Sequence, residues 1–340
     1  MSKGSNIYLK RRWVLGAAVA TVLLPGNTGA MAQEASGDNC GYAYVFQEPL
    51  ASNTAEQTIV KGLERAEAEF GINVDIIDGT GLSGLGDNLR AAASKGCYLA
   101  IGTAFFASGE ILTQVARDYP EQRFFIEGGV ATGPNVTSYA QANEEGTYVA
   151  GAMAATMSDG KPIGIITGDD SPPLKAFSAG FIAGAKAVDP DITVLVNSVG
   201  SFMDPAKTGA VALSQASKGA TLIFPAAGSN LQVYFLGETH GYKTIASDLT
   251  DYSNAMPRKP ALAFVVASAE DQTNYAIVKQ YVEGTQETAS KALGLSDGVF
   301  SIPFVTDNGS KDFNLPQKVI DAGKKAFDDV VSGRVTVPRS

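Results

Sequence analysis

At 340 residues, with 45% of them apolar and 18% charged, the chain has ample material for a buried core, and its length suggests two domains. This composition excludes the disordered and fibrous classes. The net charge of −9 argues against nucleic acid or an anionic membrane surface as a partner, because both demand basic patches.

Lys3, Lys10, Arg11 and Arg12 precede an apolar run from Trp13 to Leu24, which is followed by Ala30-Met31-Ala32. A basic n-region, a short h-region and an A-x-A site make residues 1–32 a secretory signal, cleaved near Ala32 and too short to span a bilayer as a stable helix. Arg11-Arg12 before Trp13-Val14-Leu15 also resembles a twin-arginine signal, with Lys10 where Ser or Thr is usual, so two export routes stay open. No Cys stands at the cleavage site, so no lipid anchor is expected and the mature protein is expected free in the periplasm. Its bases number 22 against 35 acids, a net charge near −13, and the only Trp is gone with the signal. Ring stacking on a ligand must then come from Phe or Tyr.

Residues 41–46, GYAYVF, read as a strand, and Thr54-Ala55-Glu56-Gln57 as a capping box opening a helix. Ile59, Leu63, Ala66 and Phe70 recur at helical spacing until Gly71 closes that helix. The unit repeats through strands at 73–78, 97–102 and 123–127, helices at 85–94 and 109–117, and a short strand at 135–139. Strands alternating with helices predict a parallel sheet flanked on both faces.

A Gly- and Ala-rich stretch, 139–168, then carries the chain into a second α/β lobe. Tyr139 to Gln141 is expected to cross between lobes and Asn143 to Ser158 to form a helix whose small residues allow close packing. Strands follow at 162–168, 192–197, 221–226 and 243–247, separated by helices at 174–188, 206–217 and 231–239. A strand at 261–268, a long helix from Glu270 to about Leu293, a strand at 299–304 and a helix at 317–331 complete the chain. The expected lobes are 33–141 with 268–294 and 142–267 with 295–340.

Cys40 and Cys97 each precede an apolar strand, and in a doubly wound sheet of order 2-1-3 those strands are neighbours. Adjacent strands lie at about the span of a disulfide, so a Cys40 to Cys97 bond is expected, the alternative being two buried thiols.

Ligands of parallel α/β sheets meet the loops at the carboxyl ends of strands. Here those loops bring carboxylates, amides and Phe rings without a basic group, a lining suited to a small neutral molecule with hydroxyls and a flat ring. The candidate ligand-binding residues are Glu48, Asn53, Phe106, Glu127, Asp170, Phe202, Asn230 and Asp248. Phe105, Phe106 and Phe202 can equally pack into a core, and Asp248 can equally cap a helix. Residues 79–84 match G-x-G-x-x-G, but they follow the second strand and lack the acid about 20 residues on, so a loop facing the cleft is the better account.

His240, the sole histidine, reads as a surface residue at a helix end. No G-x-S-x-G elbow accompanies it, so no catalytic triad is expected. The adjacent acids Asp169 and Asp170 make a poor acid–base pair. Neither a metal site nor a cofactor is expected, and the chain reads as a binding protein rather than an enzyme.

The segments VARDYPEQRFFIEGG, NVTSYAQANEEGTYVAGAMAATMS, PIGIITG, FSAGFIAGAKAVDP and VLVNSVGSFMDPAKTGAVA resemble the basic membrane protein family, in order and over nearly all of the mature chain. That resemblance implies a type I periplasmic-binding-protein fold, with two doubly wound lobes joined by a three-segment hinge. It further implies a monomer that delivers a small-molecule ligand to an ABC permease in the inner membrane. The family's D-x-S-F-N motif corresponds to Ser52-Asn53-Thr54-Ala55-Glu56 and lacks the Asp, Phe and Asn. The family's Lys near Ala269 or Glu270 is also absent, whereas Phe202 and the ribose-binding acid at Asp248 are kept. The implied ligand is a nucleoside, nucleobase or similar ring-bearing compound. A sugar or polyol, a sensor role toward a membrane receptor kinase and an exported hydrolase stand as alternatives.

Overall fold

The computed structural model describes residues 40–228, 230–258, 261–286, 290–302, 304 and 313–339. The export signal read at residues 1–32 lies outside them. Elements β1 (Gly41–Val45), α1 (Thr54–Phe70), β2 (Val74–Ile77), α2 (Leu82–Ala93), β3 (Tyr98–Ala104), α3 (Gly109–Asp118), β4 (Phe124–Glu127) and β5 (Val136–Gln141) build the first lobe. The second begins with α4 (Asn143–Ser158), β6 (Ile163–Thr167), α5 (Pro172–Val188), β7 (Val194–Ser198) and α6 (Pro205–Ser217). It continues with β8 (Leu222–Ala226), α7 (Leu231–His240), β9 (Lys243–Ala246), α8 (Leu249–Ala255) and β10 (Leu262–Val265). The chain closes with β11 (Ala267–Ser268), α9 (Glu270–Glu283), β12 (Lys291–Leu293), β13 (Phe300–Ser301) and α10 (Gln317–Val331).

The first sheet has the order β12-β5-β4-β3-β1-β2 and the second β10-β9-β8-β6-β7, with β11 and β13 forming a separate antiparallel pair. Pairings within both large sheets are parallel, which buries both faces and explains why the strands read as apolar runs rather than as polar–apolar alternation. In β1, Tyr44 and the following Phe46 pack against Ile59 and Leu63 of α1. Ala43 and Val45 point to the other side, against Leu85 and Leu89 of α2.

The chain passes from the first sheet to the second after β5 and returns to the first at β12. It then leaves for β13 and for α10, which packs against α4, and two of the expected boundaries move. Tyr139 to Gln141 is still strand, in register with Lys291 to Leu293, so the first passage falls on Ala142. The helix from Glu270 ends at Glu283, not near Leu293, because Gly284 adopts φ 67° and its N–H turns back to the carbonyls of Gln280 and Tyr281. Lys291–Leu293 instead adds an edge strand to the first sheet.

Cys40 and Cys97 are joined by a disulfide with Cα atoms 5.3 Å apart, as the neighbouring positions of β1 and β3 require. Close packing of the small-residue helix is also real. A Cβ added at Gly184 of α5 would lie 1.9 Å from the Tyr148 carbonyl oxygen of α4, and one at Gly151 of α4 would lie 2.1 Å from that of Phe181. Backbone thus packs directly on backbone. The C-terminal tail is tied to the first turn of α4 by Arg339 Nε, 2.6 Å from Glu144 Oε1.

Candidate functional site

Loops at the carboxyl ends of strands from both sheets wall a single cavity of about 890 Å³. Gln47, Glu48 and Asn53 follow β1, Phe105 and Phe106 follow β3, Glu127 ends β4 and Gln141 ends β5. From the second sheet come Asp169 after β6, Phe202 and Met203 after β7, Asn230 after β8, and Asp248 and Asp251 after β9. Glu270 enters from the first turn of α9. Seven of the eight expected residues line this cavity. Asp170 does not: Asp169 Oδ1 accepts from the Ser171 N–H and hydroxyl at 3.0 and 2.6 Å, and that turn leaves Asp169 in the wall and Asp170 exposed to solvent.

The loop after β1 is built around a residue the capping box misplaced. Asn53, not Thr54, is the N-cap of α1, its Oδ1 accepting from Glu56 N at 3.1 Å. Glu56, fully buried, turns away from the helix, and its Oε1 accepts from Gln47 N and Glu48 N, each at 3.2 Å. Burial pushes its carboxyl up to about 7 against those two bonds. Gln57 Nε2 donates to the Leu50 carbonyl at 2.7 Å. Helix α1 therefore holds the loop that presents Glu48.

Two aromatic residues face the cavity with large parts of their surface open: Phe106 is 51% exposed and Phe202 40%. Phe202 sits where it does because its neighbours have no side chain. A Cβ on Gly168 would meet its ring at 2.3 Å, and one on Gly228, at φ 71°, would meet its carbonyl oxygen at 2.6 Å. Phe106 is aimed by Phe105, whose φ of 68° and ψ of 154° lie in a region side-chain-bearing residues rarely adopt. That conformation costs about 1–3 kcal/mol, and it is held by the bond from Phe105 N–H to the Glu127 carbonyl at 2.7 Å.

Several polar residues of the cavity have atoms committed to the protein. Asp248 caps α8, its Oδ1 accepting from Thr250 N and Asp251 N at 2.7 and 2.8 Å. Both readings of this residue therefore meet, since it caps a helix and lines the cavity. Asn230 Oδ1 accepts from Ala227 N at 3.1 Å, and its Nδ2 donates to Ser247 Oγ at 3.2 Å, so its amide braces two loops. Glu127 is fully buried; its Oε1 accepts from Gln141 Nε2, while Oε2 closes no hydrogen bond. Burial raises its carboxyl to about 7, opposed by Gln141 and, more weakly, by Asn274.

Glu270, Gln141 and Glu56 were absent from the expected site. Burial, followed by the fields of Glu127 and Asp248, holds the Glu270 carboxyl well above the usual range. Beneath them the fully buried Tyr44 hydroxyl is raised by burial and by Glu127, Glu56 and Glu270 in turn. The rule that finds strand ends would have found Gln141 and Glu270 had it been applied to the crossing strands. His240 is exposed at the end of α7, its Nδ1 3.0 Å from the Leu236 carbonyl. Residues 79–84 serve packing: Gly81 N–H donates to the Gln47 carbonyl at 2.8 Å, and Leu82 reaches the cavity wall.

Two parallel sheets whose carboxyl ends share one cleft define a type I periplasmic-binding-protein fold. The solute-binding protein of an ABC transporter system from Aeropyrum pernix has that fold, with a TM-score of 0.73 at 20% identity over 88% of this chain and 94% of that one. Residues 42–335 match the model of the PnrA-like ABC transporter substrate-binding proteins (Bmp), and the chain belongs to that family. It is 28% identical over 272 residues to the ABC transporter nucleoside-binding protein BmpA of Lactococcus lactis, 74% of either chain. A purine-binding protein of Brucella abortus is 32% identical over 123 residues, 36% of this chain and 35% of that one. The protein is thus a binding protein rather than an enzyme, a role that implies a ligand and a membrane permease as partners. Among the described residues no helix is long and apolar enough to cross a membrane.

Proposed function

We propose that this chain captures a nucleoside, nucleobase or similar ring-bearing solute in the periplasm and presents the closed form to an inner-membrane ABC permease. The observation that carries this reading is the cavity itself. Its volume of about 890 Å³ falls within the range of small-molecule sites, and two part-exposed Phe rings, one from the loops of each sheet, line it together with carboxylates. Phe202 and Phe106 would stack on the ring. Asp248 would accept hydroxyl protons, and Glu48, Asn53, Glu127 and Asn230 would frame the remaining edge.

The lobes would be 33–141 with 268–294 and 142–267 with 295–340, and the three passages between them would form the hinge. A buried bond between Thr58 Oγ1 of α1 and Thr250 Oγ1 of α8, 2.6 Å long, links helices of the two lobes and would help hold the closed form. The nucleoside and purine binders among its relatives support the ligand class. Isothermal titration of the mature protein, from Gln33 onward, against nucleosides and nucleobases tests it. Binding with a stoichiometry of one per chain is expected. Neither heat nor a thermal shift with any member would overturn the ligand class.

A further inference from the structure

The second sheet gives the cavity wall two kinds of surface. In the order β10-β9-β8-β6-β7, the segments after β8 and β9 stand on one side and those after β6 and β7 on the other. The former bring polar side chains, Asn230, Ser247 and Asp248. The latter bring Pro173, Leu174, Phe177, Phe202, Met203 and Pro205. Asp169 and Ser171 also enter the wall after β6, but they bond to each other, the Ser171 hydroxyl donating to Asp169 Oδ1 at 2.6 Å. Phe202 lies on the border. A Cβ on Gly168, after β6, would meet its ring, and one on Gly228, after β8, would meet its carbonyl oxygen.

The backbone on the β6 and β7 side offers few donors as well. The first turn of a helix ordinarily presents N–H groups that a ligand can accept from. Here α5 starts with Pro172 and Pro173 and α6 with Pro205, and proline has no N–H to give. Lys207 N, in the first turn of α6, is taken by Asp204 Oδ1 at 2.9 Å. Packed rings back this surface: Phe177 lies 5.3 Å from Phe224, which lies 5.7 Å from the fully buried Phe181. The surface itself stays partly open, with Met203 69% exposed and Leu174 and Phe177 half-buried. Apolar surface left open inside a cleft marks a place that a ligand covers.

We infer that the solute carries an apolar substituent, alkyl or arylmethyl, on its ring, and that this group lies against Leu174, Phe177 and Met203. The ring lies between Phe106 and Phe202, and the hydroxyl-bearing end faces Asn230 and Asp248. Sheet order sets this direction, because Phe202 stands between the apolar and the polar segments. The inference rests on the cleft being the nucleoside or nucleobase site proposed above, and it adds what the ring bears. Each methylene that the wall covers is worth roughly fourfold in affinity.

Two pairs of probes separate the inference from the reading beneath it: adenosine with N6-benzyladenosine, and guanosine with N2-benzylguanosine. Titration calorimetry of the mature protein should find the benzyl compound tighter than its parent by about tenfold or more in at least one pair. In Leu174→Gln, which keeps the length of the side chain but makes its end polar, that ratio should shrink by about threefold or more. Met203→Gln reads the same ratio at an exposed position should the first variant fold poorly, and the wild-type ratio needs neither. Parents that bind as tightly as their benzyl derivatives in both pairs, or more tightly, overturn the inference and leave the nucleoside reading standing. Binding by none of the four overturns the inference together with that reading.

Discussion

Replacing Glu127 by Gln isolates the cost of the buried carboxyl at the end of β4. Gln keeps the shape of the side chain but cannot ionise, so the two proteins differ only where Glu127 changes charge. Its pKa rises from 4.5 to about 7 on folding, with burial as the main cause. At roughly 1.4 kcal/mol per pH unit, a rise of that size corresponds to about 3 kcal/mol.

The sign follows from proton counting. Between about pH 4.5 and 7 the unfolded chain has lost this proton and the folded chain still holds it, so the contribution is fully present below 4.5 and is lost as pH climbs through 7. Subtracting variant from wild-type stability, measured by urea unfolding at steps from pH 4.5 to 8, should therefore give a curve that falls by about 3 kcal/mol, equivalent to roughly 5 °C in Tm for a chain of this size. A flat difference curve, or one that rises with pH, would refute the claim that Glu127 is buried without adequate partners.

Further tests follow from particular contacts. Reducing the Cys40–Cys97 bond, or replacing both residues with Ser, opens a loop closed across a separation of 57 residues and should cost about 4 kcal/mol by the loop-entropy relation, read as a lower urea midpoint. Gly184→Ala puts a methyl 1.9 Å from the Tyr148 carbonyl and should destabilise by about 1–3 kcal/mol, whereas Gly241→Ala, with open space around it but φ 74°, should show only the milder backbone strain. Asp248→Ala removes the cap of α8 at about 1 kcal/mol and should also weaken solute binding at least tenfold by titration; loss of stability without loss of affinity would confine Asp248 to capping. Phe202→Ala should weaken binding of a ring-bearing solute with little change in melting temperature, since the ring is 40% exposed.

Much of the fold was legible because parallel strands buried on both faces are short apolar runs, which stand out between polar helix starts and Gly stops. The disulfide was legible for a related reason: strand order 2-1-3 makes β1 and β3 neighbours before any distance is known. The errors lie where local pattern underdetermines geometry. Gly284 ended α9 early, and nothing in the periodicity of residues 270–293 distinguishes a helix of that length from a helix, a turn and an edge strand. The capping box shifted by one residue because Asn53 and Thr54 are both good caps, and only the destination of the Glu56 carboxyl, the Gln47 and Glu48 amides, decides between them. Asp169 and Asp170 are equivalent as letters, and the turn to Ser171 chooses one. Gln141 ends β5 and Glu270 opens α9, each beside a passage of the chain away from a sheet, where the site is completed by tertiary arrangement rather than by sequence neighbours.

The account turns on the cleft holding a solute, and the most direct test is to identify what the protein carries. Mass spectrometry of the small molecules released on denaturing the mature protein, purified without added ligand, should find one ring-bearing nitrogenous compound in stoichiometric amount, and should find it depleted from the Phe202→Ala variant. Release of an acyclic compound would contradict the account, as would equal amounts from wild type and variant.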